Sequence, residues 1–241
     1  MTAVAAQTRV ELALTMRRGE SLLLILGIPV LLLVFFSVVD VLPTGTDEPI
    51  EFLAPGVLSL AVMSTAMVGL GIATGFERQY RVLKRLGATP LGRPALLAAK
   101  TSSVVVVEAI QVAVLVPVAL LLGWDVRWDG LAAAVLAVLL GTVAFAGIGL
   151  LLAGTLRGEV NLAAANGLYL VLLLIGGVVI PLDRLPGALE ALAKCLPSAA
   201  LSEALRGALT PGLTVPGWTW VTLTAWAVLA PVVAARCFRW E

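Results

Sequence analysis

The residue types that usually carry enzyme chemistry are scarce in this sequence of 241 residues. It contains no histidine, the commonest general base and metal ligand, and its two cysteines form no CxxC pair. It also lacks the G-x-x-x-x-G-K-[ST] loop that holds nucleotide phosphates, so we expect no ATP hydrolysis by this chain alone. The sequence therefore predicts no catalytic residue, no metal site and no cofactor within the chain.

The acidic residues come closest to a metal-diphosphate site of the kind a membrane-embedded transferase needs. Their clusters are Asp47-Glu48 with Glu51, and Asp125 with Asp129. Both clusters lie in short segments between apolar stretches, where solvated turn residues are common. We interpret them as turn residues and not as metal ligands.

An ionisable residue inside an apolar stretch is the clearest signal for a buried polar site. Glu108 lies about 10 Å along a helix from the start of its apolar run at Thr101, and Gln111 shares its helical face. A carboxyl at that depth is costly, so it should face other helices or a wet cavity. Glu108 is either a polar lining or proton-sensitive group, or it forms an interhelical hydrogen bond, with Asn161 or Asn166 as candidate partners.

The densest positive charge is in FERQYRVLKRLGATPLGRP, residues 76–94, which carries five basic residues between two long apolar runs. At about 100° per residue, its apolar and basic side chains separate onto two sides of a helix. The apolar side holds Phe76, Tyr80, Leu83 and Leu86, and the basic side holds Arg78, Arg81, Lys84 and Arg85. Gly87 and Pro90 would end this helix. The stretch is either a signal that only orients the chain or a docking helix for lipid headgroups or a protein partner.

The surrounding elements are predicted to be membrane spans. Hydrophobic residues make up 60% of the chain, charged residues 13%, and the mean hydropathy is +1.05. A span needs about 20 mainly apolar residues, and six stretches satisfy this. They are Ser21–Leu42, Phe52–Gly75, Thr101–Gly123, Gly130–Leu156, Val160–Pro181 and Trp218–Cys237. The sequence thus predicts an all-α membrane protein with six transmembrane helices, the first of which is too long for a signal peptide and should be retained.

Basic residues decide the orientation of such a chain. With both termini inside, twelve of the 16 lysines and arginines fall on inner segments and four on outer segments. We therefore expect cytoplasmic termini, with the acidic residues 46–51 outside. Cys195 and Cys237 would lie on opposite sides, which excludes a disulfide between them. The excess of arginine over lysine and the abundant alanine indicate a bacterial source, and hence a multi-pass protein of the bacterial inner membrane.

The segment between the fifth and sixth spans, residues 182–212, contains two short amphipathic patterns. Leucines and alanines recur at three- and four-residue spacing on each side of Pro197. Each helix would have about 12 residues, too few to cross the membrane. The segment is therefore either a re-entrant hairpin over the outer mouth or a surface loop resting on lipid headgroups.

Two stretches resemble the membrane subunit of the type-2 ABC transporter permeases. NLAAANGLYLVLLLIGGVVIPLDRLP, residues 161–186, with the following GALEALAKCLPSAALSEALRGAL, has the family's order of glycine pair, prolines, short helix, proline break and second helix ending in arginine and glycine. Those residues are Gly176, Gly177, Pro181, Leu185, Pro186, Pro197, Arg206 and Gly207. ERQYRVLKRLGATPLGR resembles the family's coupling helix and the turn after it. The chain departs from the family at Leu196-Pro197, where Asn-Pro is usual.

The resemblance implies a domain layout and a set of site residues. Residues 1–241 would form one permease domain, with an N-terminal interfacial helix in 1–20, a coupling helix and loop in 76–94, and an outer re-entrant segment in 182–212. ATPase subunits would dock on Phe76, Glu77, Arg78, Tyr80, Arg81, Leu83, Lys84 and Arg85. An outer gate would include Pro181, Pro186, Pro197 and Arg206. The second and fifth spans would line the path.

The function that follows from the resemblance is the permease subunit of an ABC exporter, which is not itself an enzyme. The subunit would pair with a second permease copy, identical or related, and would bind separate ABC ATPase subunits that carry ATP and Mg. A hydrophobic or amphiphilic substrate would cross the lipid bilayer, and no nucleic-acid partner is expected. The alternative is a membrane-embedded enzyme, or an assembly or sensory subunit of a membrane complex. Purification without an ATPase would favour the assembly role.

Overall fold

The computed structural model describes residues 3–17, 19–39, 49–83 and 92–238. The structure is 86% helical and has no strand within these ranges. In hydrocarbon every backbone N–H and C=O must be satisfied within its own segment, and long apolar runs achieve this as helices. The all-α prediction is confirmed.

Helices account for most of the described residues. In chain order they are α1 Ala3–Arg17, α2 Gly19–Val38, α3 Pro49–Met63, a π-helical segment Ser64–Gly69, α4 Leu70–Gln79, α5 Arg93–Leu121, α6 Leu131–Thr155, α7 Gly158–Ile175, α8 Gly187–Lys194, α9 Pro197–Leu209 and α10 Gly217–Cys237. Single 3₁₀ turns, Trp128–Gly130 and Leu182–Arg184, precede α6 and follow α7. The π-helical segment joins α3 to α4 without a loop.

Five helical segments of the described chain are long and apolar enough to cross a membrane. They are Pro49–Gln79, Pro94–Leu121, Trp128–Thr155, Gly158–Ile175 and Gly217–Cys237. These agree with five of the six predicted spans. The first predicted span, Ser21–Leu42, overlaps α2, of which Ile25–Val38 forms a shorter apolar helix, and its C-terminal end lies outside the described residues. The membrane crossing by this first predicted span therefore stays a prediction.

The predicted end of the fifth span is wrong. The prediction continued this span to Pro181, but α7 ends at Ile175 and the backbone turns at Gly176 and Gly177. Gly177 has φ of 67°, a left-handed conformation that glycine adopts without a steric penalty and that stops a right-handed helix. Apolar composition alone could not reveal this turn, because the residues on both sides of it are hydrophobic.

The helix formed by α3, the π-helical segment and α4 is the centre of the bundle. In its most apolar stretch, 72% of the residues are buried within the protein. The corresponding share is 22% for α7 and 22% for α10. Its backbone approaches α6 closely, since a Cβ on Gly149 would come within 2.5 Å of the Met67 carbonyl oxygen. Small residues permit such contacts in lipid.

The N-terminal helix α1 packs against α5 and α2. Thr8 Oγ1 on α1 donates to the Ala99 carbonyl oxygen on α5, at 3.3 Å. Helix α1 is therefore attached to the start of the third predicted span. Its location at a membrane interface stays a prediction.

The segment after α7 forms two short helices, as the leucine spacing predicts. Pro197 opens α9, and every residue of α9 except Glu203 is buried. Helix α9 packs against α3, α6 and α10, whereas α8 is mostly exposed. The burial of α9 does not fit a surface loop resting on headgroups.

Candidate functional site

The candidate coupling region begins where α4 ends. The backbone N–H of Tyr80 donates to the Phe76 carbonyl oxygen at 2.9 Å, and then Arg81 adopts a left-handed φ of 59°. Helical residues resume at Val82. The prediction of one continuous amphipathic helix through this stretch is wrong, because a left-handed residue cannot continue a right-handed helix. The predicted positions Lys84, Arg85, Leu86, Gly87 and Pro90 lie outside the described residues.

The apolar residues of this region point in different directions. The rings of Phe76 and Tyr80 stack with centroids 6.3 Å apart and planes inclined by 19°. Leu83 is fully buried and Phe76 half-buried, but Tyr80 is 70% exposed. Arg81 is also exposed. We call Phe76, Tyr80 and Arg81 the Tyr80 corner. The Phe76 ring packs on the protein, and the Tyr80 and Arg81 side chains are accessible.

Arg78, which was predicted to lie on the basic docking side, instead contacts α6. Its Nη1 donates to the Ala153 carbonyl oxygen at 2.7 Å, in the last turn of that helix. A cation at a helix C-terminus meets unpaired carbonyls and the negative end of the helix dipole. Arg78 therefore fastens the end of α4 to the end of the fourth predicted span.

Glu77 is part of a buried ion-pair cluster around Lys100. The Lys100 ammonium nitrogen lies 2.7 Å from Glu77 Oε2 and 3.0 Å from Glu11 Oε1. The Lys100 side chain is 1% exposed, and the Glu11 and Glu77 side chains are 12% and 20% exposed. These three residues, the Lys100 cluster, join α1, α4 and α5 directly behind the Tyr80 corner.

Sequence reasoning counted Lys100 only as one of the inner basic residues and did not identify Glu11. A usable signal exists: Lys100 is next to the first residue of a predicted span, where a lone cation needs a carboxylate if it turns inward. Which carboxylates approach it depends on how α1 and α4 pack on α5, and spacing along the chain does not contain that information.

Glu108 forms an interhelical hydrogen bond, but not with the predicted asparagines. Its Oε2 lies 2.5 Å from Thr142 Oγ1 on α6. Glu108 Oε1 is buried and has no hydrogen-bond partner among the described residues. The geometry favours the structural interpretation over a polar lining, since Glu108 is buried between α5 and α6.

Gln111 bridges three segments. Its Oε1 accepts from Thr65 Oγ1 in the π-helical segment at 3.0 Å, and its Nε2 donates to the Ile25 carbonyl oxygen on α2 at 3.0 Å. The Thr65 side chain thus satisfies a buried amide next to the irregular part of the second predicted span. Glu108 and Gln111 share a helix but serve different neighbours.

The two asparagines of α7 also have separate environments. Asn161 is fully buried and its Nδ2 donates to the Gly71 carbonyl oxygen on α4 at 2.9 Å. Asn166 is exposed and its Nδ2 donates to the Leu162 carbonyl oxygen of its own helix, at 2.9 Å. The four predicted intramembrane polar residues therefore do not assemble into one site.

The three prolines of the predicted outer gate mark element boundaries. Pro181 precedes the 3₁₀ turn, Pro186 precedes α8, and Pro197 is the first residue of α9. At these positions a missing backbone N–H costs no helical hydrogen bond. The prolines therefore fix where the outer helices start.

Arg206 is the buried polar centre of the outer segment. Its Nη1 donates to Glu203 Oε1 at 2.8 Å, its Nη2 donates to the Val178 carbonyl oxygen at 3.2 Å, and its guanidinium lies 3.7 Å from the centre of the Phe52 ring. Burial lowers the pKa of this guanidinium, and the nearby Glu203 carboxylate opposes that shift. Arg206 thereby connects α9 to α3 and to the turn after α7.

A second arginine, Arg127, contacts the C-terminal end of α9, the end that also carries Arg206, and was not identified from the sequence. Its Nε donates to the Ala208 carbonyl oxygen at 3.1 Å, and its Nη2 donates to the Gly207 carbonyl oxygen at 2.7 Å. Its Nη1 donates to the Leu213 carbonyl oxygen. The Gly207 and Ala208 carbonyls lie in the last turn of α9, where a helix leaves carbonyls unpaired. Arg127 follows α5 in the chain, so only the packing brings it to α9.

Comparison with known proteins gives one family match. A family model described as ABC-2 type transporter matches residues 2–210. No curated protein matches the sequence. The matched residues include the Tyr80 corner, the Lys100 cluster and all of α9.

Proposed function

Because the chain belongs to the ABC-2 type transporter family and is a transporter permease subunit, we propose that it forms the translocation path of an ATP-driven exporter as a dimer. Family membership implies ABC ATPase partners in general. The proposal adds that those partners supply ATP and Mg and dock at the Tyr80 corner. It also places the protein in a bacterial inner membrane with both termini in the cytoplasm.

The observation that carries the docking proposal is the exposure of Tyr80 and Arg81 at the end of the most buried helix of the bundle. Aromatic and arginine side chains dominate binding energy at protein interfaces. Here they extend from a helix end that the Arg78 contact with α6 and the Lys100 cluster hold in place. A force applied at this corner would reach α1, α5 and α6 through contacts that are already formed. Lys84 and Arg85, which follow the buried Leu83 in the chain, would continue the docking element.

The dimer proposal is supported by α7, the fifth predicted span. Only 22% of its most apolar stretch is buried, and its exposed side chains include Leu170, Val171 and Leu174. We propose that α7 faces the second permease copy across the path. The same proposal assigns the outer gate to Pro181, Pro186, Pro197 and Arg206, which fix the helices above it.

The docking proposal is tested by the double substitution Tyr80→Ala with Arg81→Ala. The cognate ATPase should no longer co-purify with the permease, because interface hot spots typically cost about 2 kcal/mol or more when truncated. Expression and orientation should not change, since eleven of the twelve inner basic residues remain. Co-purification and the labelling of an introduced cysteine by an impermeant maleimide measure the two effects.

The matched control is Trp128→Ala with Arg184→Ala, an exposed aromatic residue and an exposed arginine at the opposite end of the bundle. This control should keep the ATPase. If the Tyr80 and Arg81 double variant keeps full ATPase coupling or inserts in inverted orientation, the basic stretch is only an orientation signal. A purification in which no ATPase accompanies even the unmodified permease would favour an assembly subunit.

A further inference from the structure

A groove of about 660 Å³ opens beside the Tyr80 corner. It is lined by residues of α1, α2, α5 and the helix made of the π-helical segment and α4. Most of its wall is apolar, and the residues along it include Ile25, Leu70, Ile72, Val104 and Val107. Pockets that bind small molecules have volumes of about 300–1,000 Å³ and mostly apolar walls with a few polar groups. The size and lining of this groove are those of a ligand site.

The depth of the groove matches one leaflet of a bilayer. It extends from Tyr80 and Val82 to Thr65. Tyr80 lies fifteen residues after Thr65, which is about 22 Å of helix at about 1.5 Å per residue. Half of a bilayer with its headgroups is about 20–22 Å thick. The hydrogen bond from Thr65 to Gln111 lies at the far end, so a ligand there would extend from the surface to about the midplane.

The charged end of the groove determines which headgroup fits. Glu11, Glu77 and Lys100 all line it. The Lys100 ammonium is 1% exposed and directed at the two carboxylates, whose side chains are 12% and 20% exposed. A ligand therefore meets carboxylate oxygens before it meets the ammonium. Such oxygens accept hydrogen bonds from a cationic donor and repel an anion.

We infer that this groove binds a single lipid of the adjacent leaflet, with a primary ammonium headgroup against the Lys100 cluster and one acyl chain along Leu70 and Val104. The polarity gradient of the wall is that of such a lipid, charged at the surface and apolar toward the midplane. The groove is then the loading site for an exported amphiphile, and this last step rests on the proposed function.

Lipid occupancy can be measured without any ATPase. The purified full-length permease is placed in phosphatidylcholine vesicles that contain phosphatidylethanolamine with a diazirine in its acyl chain, and cross-linked peptides are mapped after illumination. We expect the strongest labelling in residues 65–73 and 104–107. Labelling confined to bare faces such as Val221 on α10, which is 71% exposed, would overturn the inference.

A blocking variant and a matched control make this test specific. Gly69 lines the groove, and a Cβ added there would meet only the Ser64 carbonyl oxygen, at 3.6 Å, among the described atoms. Gly69→Leu should therefore fold and reduce groove labelling at least about tenfold by filling the space. Gly27→Leu adds the same side chain at an exposed position of α2 where a Cβ would meet no described atom within 4 Å. It should label like the unmodified protein. Equal labelling of the two variants would contradict the groove assignment.

Headgroup preference is tested by competition with unlabelled lipids. Phosphatidylethanolamine should displace the probe better than phosphatidylcholine, which lacks N–H donors, and better than anionic phosphatidylglycerol. Glu11→Gln should reduce the preference for ethanolamine about fivefold, whereas Glu190→Gln, on exposed α8, should not change it. If phosphatidylglycerol competes best, the ammonium assignment is wrong.

The two proposals fail in different ways. If the permease has no ATPase partner, lipid cross-linking in the groove should still occur. If the ATPase binds and hydrolyses ATP but Gly69→Leu leaves lipid labelling and lipid-stimulated hydrolysis unchanged, the groove is not a lipid site and the export proposal stands.

Discussion

Two buried cations stabilise opposite ends of this bundle in different ways. Lys100 pairs with Glu11 and Glu77, which come from two other helices. Arg206 pairs with Glu203 on its own helix and reaches its neighbours through the Val178 carbonyl and the Phe52 ring. The first arrangement connects three helices by ion pairs. The second neutralises the charge locally and connects helices by a neutral hydrogen bond and a ring contact.

The difference shows what each end can transmit. Ion pairs between helices resist separation of α1, α4 and α5, so the end that carries the Tyr80 corner behaves as one unit. At the outer end, the pair of Arg206 and Glu203 can move with α9 as a whole without losing its ion pair. Under the proposed function, in which an ATPase acts at one end and the other end opens, a rigid end and a separable end would serve these two roles.

The largest effect is expected for Lys100→Met, which removes the buried cation that Glu11 and Glu77 share. Breaking a buried pair typically costs about 3–5 kcal/mol of unfolding free energy. Denaturant titration in detergent micelles should show this loss. Adding Glu11→Gln and Glu77→Gln to the same variant should recover part of it, since buried charges are then absent. A loss below about 1 kcal/mol would show that the Lys100 cluster behaves like a surface pair.

A smaller loss is expected for Arg206→Leu. It leaves one carboxylate, Glu203, whose side chain is already 27% exposed and can be solvated, and it removes the contact with Phe52. We expect about 2–3 kcal/mol in the same titration. Introduced cysteines on α9 should become accessible to maleimide while those on α1 stay protected. Equal exposure of both helices would contradict the independence of the two ends.

The smallest effect is expected for Lys194→Ala on α8. Lys194 and Glu190 form an ion pair of 2.7 Å, but their side chains are 45% and 33% exposed. Exposed pairs of this kind contribute about 0.3–0.5 kcal/mol and are screened by salt. The unfolding free energy should therefore change within that range and less at high salt. A loss comparable to that of Arg206→Leu would mean that α8 is covered in the assembled protein.

Some site features followed directly from sequence patterns. The leucine spacing placed a helix break at Pro197, which agrees with the structure. The 3.6-residue periodicity placed Phe76, Tyr80 and Leu83 on one apolar side, but Leu83 is buried and Tyr80 is 70% exposed. The sequence did not predict the break at Arg81, because arginine has no special preference for a left-handed backbone. That conformation depends on contacts that the flanking residues make with residues far away in the chain.

Buried polar residues show the same limit. Their types and depths, as for Glu108, are visible in the sequence because a carboxyl in an apolar run is rare. Their partners are not visible in the sequence. The observed partner of Glu108 is Thr142, not either of the predicted asparagines, and Thr142 lies within another apolar run. A single threonine carries no pattern by which it could be recognised.

The sequence by itself determined the helical class, five of the spans now described and the family, because burial in lipid demands long apolar helices and the motifs around the glycine pair and Arg206 are local. Only the tertiary structure decided that α9 is buried, that Arg127 caps it, that Lys100 faces Glu11 and Glu77, and that a groove remains beside the Tyr80 corner. The physical reason is that periodicity specifies which side of a helix is apolar. The rotation and neighbours of each helix result from many weak packing contacts between distant segments.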